Sequence, residues 1–182
     1  MKFNAKTMQT KFLNFRIDKL TSSIENRVSG EIKDTKTSLV SRNELNRFNK
    51  KNKWFFSWKN LLKDYPDCSI YKLTTVDFEE ETQGLIAFEN KSNFLFIILI
   101  ESAPSNRKPN KKYLGVLGNL VAFICKLSFE KGFSGVVAFD AKTKLINHYK
   151  TALKAVHIGR GRMMINSQES KELVDKYFNK NE

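Results

Sequence analysis

Apolar positions change their spacing several times along the chain. Leu20, Ile24 and Val28 stand at i, i+4 and i+8, which predicts a helix through 20–28 closed by Ser29-Gly30. Thr37–Val40 reads as a short strand, Glu44–Phe56 as a basic helical segment, and Trp58, Leu61 and Leu62 continue at helical spacing. From Ser69 the pattern becomes strand-like. Ser69–Val76, Gln83–Phe88 and Phe94–Ile100 are separated by the polar turns Glu79–Thr82 and Glu89–Ser92, and such short connections imply an antiparallel meander. After the polar loop SAPSNRKPNKKY, Gly115 opens a strongly apolar helix that reaches about Lys131, where Gly132 ends it. Ser134–Phe139 is a further strand, Lys142–Leu153 a helix, Arg162–Ile165 a short strand, and Glu169–Phe178 a last helix. The order β-β-β-α-β-α-β-α behind a mostly helical N-terminal third describes a mixed α/β sheet.

Composition narrows the class. A chain of 182 residues with 41% apolar and 12% aromatic content can build one packed core. Its longest apolar run, Phe94–Ile100, has the length of a buried strand and falls far short of the ~20 residues of a membrane span. Met1–Lys11 is polar and aperiodic, read as a frayed tail without the apolar stretch of a secretory signal. Cys68 and Cys125 belong to no paired motif, which suggests a reducing, cytoplasmic setting.

The formal charge is +13, and it is uneven: residues 1–63 hold 15 Lys/Arg against 5 Asp/Glu, residues 64–182 hold 17 against 14. The basic third fits either an anionic partner such as RNA or tRNA, or a merely solvated surface. Trp54, Phe55, Phe56 and Trp58, interleaved with Lys51, Lys53 and Lys59, fit base stacking or the cover of one end of the core.

One junction carries candidate chemistry. An apolar strand, a loop rich in lysine (Lys108, Lys111, Lys112) and Gly115 lead straight into a helix. Such an entry directs backbone N–H groups and the positive helix end at one point, where phosphate binds readily. Gly115 and Gly118 serve equally well for close packing. His148 and His157 have no Cys or carboxylate at ligand spacing, so no metal is expected. Cys125 lies within an apolar helix face and reads as core.

This junction resembles that of the GNAT N-acetyltransferases, whose Arg/Gln-x-x-Gly-x-Gly/Ala signature lies between a strand and a helix. Here Lys112-Tyr113-Leu114-Gly115-Val116-Leu117 stands at the signature positions, the helix runs on to Lys131-Gly132-Phe133, and VVAFDAKTKLINHYKTAL resembles the following strand and helix. The segments IDKLTSSIEN, YKLTTV, ESAP and NLVAFICKLSFEKGF also resemble bacterial GNAT-like proteins of unassigned substrate. Lys112 replaces Arg or Gln, Leu117 stands where Gly or Ala is usual with Gly118 one place on, and Lys142 stands where many members carry a cofactor-contacting Asn.

The resemblance implies a central, mostly antiparallel sheet flanked by helices over 34–182, with its core at 69–178 and a basic extension at 1–33. It implies acetyl-CoA as acyl donor, held by Ser102, Ala103, Lys112, Tyr113, Leu114, Gly115, Val116, Leu117, Gly118, Asn119 and Lys142, and transfer to a primary amine of unknown identity, an aminoacyl-tRNA among the candidates. Tyr149 stands as the expected acid toward the leaving thiolate. Glu101, which ends the apolar strand, is the expected base or a solvated rim carboxylate. The other reading is a GNAT-like module without catalysis that binds nucleic acid or a protein partner. Gly115-Val116-Leu117-Gly118 also spells the GxxG of a KH backbone clamp, although Val and Leu at its centre argue against that use.

Overall fold

The computed structural model describes residues 12–179, so the expected tail at 1–11 lies outside the described residues. Ten strands and four α-helices follow one another: β1 Ile24–Asn26, β2 Ile32–Lys33, β3 Thr35–Leu39, α1 Trp58–Asp64, β4 Ser69–Thr75, β5 Gly84–Asn90, β6 Leu95–Ser102, β7 Tyr113–Leu114, α2 Val116–Glu130, β8 Val137–Asp140, α3 Ile146–Ala152, β9 Val156–Gly159, β10 Arg162–Ile165 and α4 Ser167–Phe178. Seven strands form the main sheet in the order β3-β4-β5-β6-β8-β10-β9. Every pairing in it is antiparallel except β6 with β8, which α2 connects.

Successive residues of a strand face opposite sides of a sheet, so the central strands feed two cores. One holds Ile86, Ile97 and Ile100 beneath α2, α3 and α4, while the other holds Leu85, Ala87 and Leu99 beneath Trp58 and Leu61 of α1. The register of β5 with β6 slips between Ala87/Leu99 and Phe88/Ile97, so Ile98 is an extra residue in β6. A bulge of this kind bends its strand and increases its twist. The parallel pairing of β6 with β8 covers only Leu95–Ile97 against Val137–Phe139, and past that point the two strands diverge.

Residues 12–21 enter that divergence. Leu13 forms a parallel bridge to Ala141, donating its N–H to the Asp140 carbonyl at 2.6 Å and accepting from the Lys142 N–H at 3.2 Å. Leu13 and Ile17 are buried while Asn14, Arg16 and Asp18 are exposed, the alternation of an extended segment with one face on a core. β1 then pairs antiparallel with both β2 and β7, making a small second sheet that fastens the extension to the entrance of α2.

Two expected helices are replaced. At 20–28, Ile24 is buried in β1 whereas Val28 is exposed, and the Asn26 side chain accepts the N–H groups of Val28 and Ser29 to make a turn. Ser23 donates its hydroxyl to the Lys33 carbonyl at 2.6 Å. Short polar side chains that bond the backbone compete with a helix in this way. The same competition divides 44–56 into two 3-10 turns, Glu44–Arg47 and Lys50–Asn52, with Asn49 and Asn52 donating to the carbonyls of Asn46 and Arg47. β9, which sequence reasoning did not anticipate, is a fully exposed edge strand.

The extension is therefore part of the core. Leu13→Ala should lower unfolding free energy by about 2–4 kcal/mol in urea titrations, the range for truncating a buried leucine; an unchanged midpoint would mean that 12–21 is a loose appendage.

Candidate functional site

The structure places the expected residues at the end of β6, at the entrance of α2 and at 142–149, and it gives most of them internal partners. At the entrance of α2, β7 holds Tyr113 and Leu114 against Asn26 and Glu25. Asn106 Oδ1 accepts the Tyr113 N–H at 3.0 Å. Gly115 follows with φ +81, a left-handed conformation that a side chain would strain. A Cβ there would also collide with the Thr21 hydroxyl and lie 3.1 Å from the Ser23 carbonyl. At Gly118 a Cβ would meet the Tyr177 hydroxyl, with Leu20 at 3.0 Å. Both glycines thus admit the extension to the helix end.

That helix end already carries an anion. Asp18 Oδ1 accepts the Gly115 N–H at 3.1 Å, and its Oδ2 pairs with Lys111 at 2.7 Å. A carboxylate at the first turn of a 15-residue helix has the environment that suits a phosphate. Lys112 is engaged elsewhere, with Glu81 at 2.7 Å, and that bond raises its pKa. Val116 and Leu117 are buried in the core. Asn119, also buried, donates to Thr35 Oγ1 at 3.0 Å. Lys142 is exposed, and its backbone serves Leu13.

Ser102 and Ala103 close β6. The Ala103 N–H is used by the Gln83 carbonyl at 2.9 Å, and the Ser102 carbonyl accepts from Arg107 Nη2 at 3.0 Å.

Glu101 is not a rim carboxylate: it is fully buried. Its oxygens accept the Phe55 N–H at 2.6 Å, the Trp58 indole N–H at 2.7 Å and Arg107 Nη2 at 2.5 Å. Burial raises its pKa, opposed by those hydrogen bonds and by the Arg107 charge. Arg107 also stacks over the Phe55 ring, 3.8 Å from its centroid. The network therefore anchors the aromatic segment 54–58 to β6. Beside it opens a cavity of about 300 Å³ lined by Lys50, Phe55, Phe56, Asn60, Asp64 and Leu99.

Tyr149 lies in the other core. Its hydroxyl donates to the Phe15 carbonyl at 2.5 Å, and burial pushes its pKa upward. The neighbouring His148 accepts the Ile17 N–H through Nε2 at 2.8 Å, and Tyr177 accepts the Thr21 N–H at 3.2 Å. The phenol of Tyr177 is pushed up to about 12, mainly by burial. Cys125, its thiol pushed up to about 12 by burial, packs against Ser170 as a core residue. Among the described residues no group of three or more His, Cys, Asp or Glu is placed to hold a metal ion, and no helix is long and apolar enough to cross a membrane.

Asp18, Phe15, Ile17 and His148 belong to this candidate site through their contacts, and the sequence reading missed them. The signal was present: Leu13, Phe15 and Ile17 alternate with Asn14, Arg16 and Asp18, the period of a strand.

Solved structures share this architecture. The spermidine/spermine N-acetyltransferase SpeG from Vibrio cholerae matches with a TM-score of 0.55 at 13% identity, covering 76% of this chain and 97% of its own. AtaTR bound with acetyl-CoA matches at 0.54 and 12%, covering 77% and 98%. The ribosomal-protein-S18-alanine N-acetyltransferase from Escherichia coli matches at 0.53 and 10%, covering 72% and 94%. No protein-family model matches the chain, and no curated protein matches it in sequence. The chain shares the fold of these acetyltransferases.

Two outcomes follow from the buried polar groups. Glu101→Ala strands Arg107 and the Trp58 indole, so it should cost about 3 kcal/mol in denaturant unfolding; a loss under 1 kcal/mol would mean solvent replaces the network. His148 has its pKa lowered, first by burial and then by Arg16, the charged side chain that faces it. The Ile17 bond needs the neutral ring, so its contribution is complete above the ordinary value near 6.5 and is lost as pH falls through the lower folded value. Between about pH 7 and 5 the wild type should lose stability that His148→Gln does not, as thermal melts across pH would read.

Proposed function

We propose that this protein is an acyl-CoA-dependent N-acyltransferase, moving acetyl from acetyl-CoA to a primary amine. The observation that carries the reading is the entrance of α2, where the Gly115 N–H and Lys111 hold a carboxylate beside the divergence of β6 and β8. The structural neighbours named as acetyltransferases, one of them bound with acetyl-CoA, support the same reading through their shared fold.

In this reading the donor diphosphate takes the place of the Asp18 carboxylate, where the end of α2 and Lys111 compensate its charge. Lys112 and Lys142 stand at the outer edge, and Gly115–Asn119 supply the turn. Ser102, at the end of β6, would line the path of the pantetheine arm. The Tyr149 phenol protonates the departing thiolate once its bond to Phe15 is broken. Glu101 acts through its effect on the segment 54–58, because its two oxygens already accept three hydrogen bonds. The amine enters by the cavity beside Phe55 and Phe56. Exposed Lys50, Lys51 and Lys53 near that cavity favour an acceptor carrying negative charge, such as the amino group of an aminoacyl-tRNA.

The second reading, a GNAT-fold binding module without catalysis, rests on a specific observation: Tyr149 and Glu101 are both fully engaged internally, and the chain's own residues 12–21 fill the divergence.

Acetyl-CoA at 100 times its dissociation constant should raise unfolding free energy by about 2.7 kcal/mol. Acetyl transfer from labelled acetyl-CoA to polyamines, to a peptide α-amine and to aminoacyl-tRNA should mark at least one acceptor, and Tyr149→Phe should then lower kcat by about 10²–10⁴. Binding without transfer to any of these acceptors favours the module.

A further inference from the structure

We infer that residues 12–21 are a displaceable occupant of the acyl-donor groove, a strap whose atoms stand where the donor would lie. The inference rests on the acyl-donor reading above. Its basis is the correspondence along the whole segment, contact by contact.

At one end, Leu13 extends the sheet beside Ala141 with two backbone hydrogen bonds, in the gap that the Ile98 bulge opens. In the middle, Phe15 gives its carbonyl to Tyr149, and its ring packs 6.2 Å from Phe55 and 6.4 Å from Phe56, between the groove and the open cavity. Next, Ile17 is buried and bonded through its N–H to His148. At the far end the Asp18 carboxylate sits on the Gly115 N–H and Lys111, and Leu20 covers Gly118. Read backwards from Asp18, an anion at the helix end, an extended backbone through Ile17 and an apolar ring beside Tyr149 follow one another in the order of a diphosphate, its pantetheine arm and the acyl end.

Leu13 and Ile17 are buried, but the polar contacts of the segment differ in kind from those of a central strand. Only the Leu13 end is fixed by backbone bonds to another strand. Ile17 and Thr21 are held by side chains, His148 and Tyr177, and Asp18 by one N–H and one lysine. Side-chain latches on an alternating segment can be released without dismantling the sheet. Release frees the Tyr149 proton and the Gly115 N–H together, so one movement uncovers both the acid and the anion cradle. A ligand that binds only the released form has its apparent affinity reduced by the fraction released.

The test uses the full chain with coenzyme A as the probe. Asp18→Asn keeps the shape of the side chain but removes its charge. His148→Ala removes the Ile17 acceptor at a site remote from the diphosphate. Each variant should bind coenzyme A at least tenfold more tightly than wild type by titration calorimetry. In wild type, adding coenzyme A should speed amide exchange of Ile17 and Thr21, leave Leu13 protected and slow exchange at 116–119, and this measurement decides even if either variant folds poorly. Should coenzyme A bind wild type with the Ile17 and Thr21 amides as protected as before, the strap inference is overturned and the acyl-donor reading stands. Should neither wild type nor either variant bind coenzyme A, the acyl-donor reading fails and the strap is a fixed part of the fold, which overturns the inference as well.

Discussion

A single extra residue, Ile98, sets the terms for the centre of the molecule. By bending β6 after its third residue of parallel pairing, it leaves backbone groups at 140–142 without a partner on the β6 side, while β10 still pairs with Asp140 on the other. Buried N–H and carbonyl groups need partners, and leaving one unmatched costs about 1–3 kcal/mol. Leu13 supplies those partners, and the rest of the extension follows from where Leu13 is fixed. The alternation of its side chains then brings Phe15, Ile17 and Asp18 to Tyr149, His148 and Gly115 in turn.

The two faces of the sheet solve different problems with the same strand. Ile100 points into the large apolar core, whereas the next residue, Glu101, carries a charge into the core on the other side. That charge is tolerated because three donors converge on it, one from Arg107 and two from the segment 54–58. The result is a rigid junction of two aromatic residues, an arginine and a strand end. It fixes Phe55, against which Phe15 rests, so the polar network of one face helps to position the occupant of the other.

Most of the fold is legible in the sequence wherever burial dictates the pattern. The meander of β4, β5 and β6, the apolar helix α2 after Gly115 and the amphipathic α4 all have spacing that only one element type satisfies. The failures fall where short polar side chains decide. Asn26, Asn49 and Asn52 bond the backbone and break helices that apolar spacing alone would continue. The glycine junction was legible as an anion cradle, but the anion it holds was not: Asp18 lies 97 residues upstream of Gly115, and no local pattern pairs them. Tyr149 was singled out through the family resemblance, yet its partner, the carbonyl of Phe15, has no sequence signature at all, since every residue carries one.

The strap also has a place in time. Its contacts are among the most distant along the chain: Thr21 meets Tyr177 across 156 residues, Phe15 meets Tyr149 across 134 and Ile17 meets His148 across 131. Chains leave the ribosome from the N-terminus, and loop closure over such separations is slow compared with local pairing. Residues 12–21 therefore emerge long before α3 and α4 and seat only after those helices exist to receive them. From the folding of β8 until the strap is seated the groove stands open, and the segment that fills it waits outside.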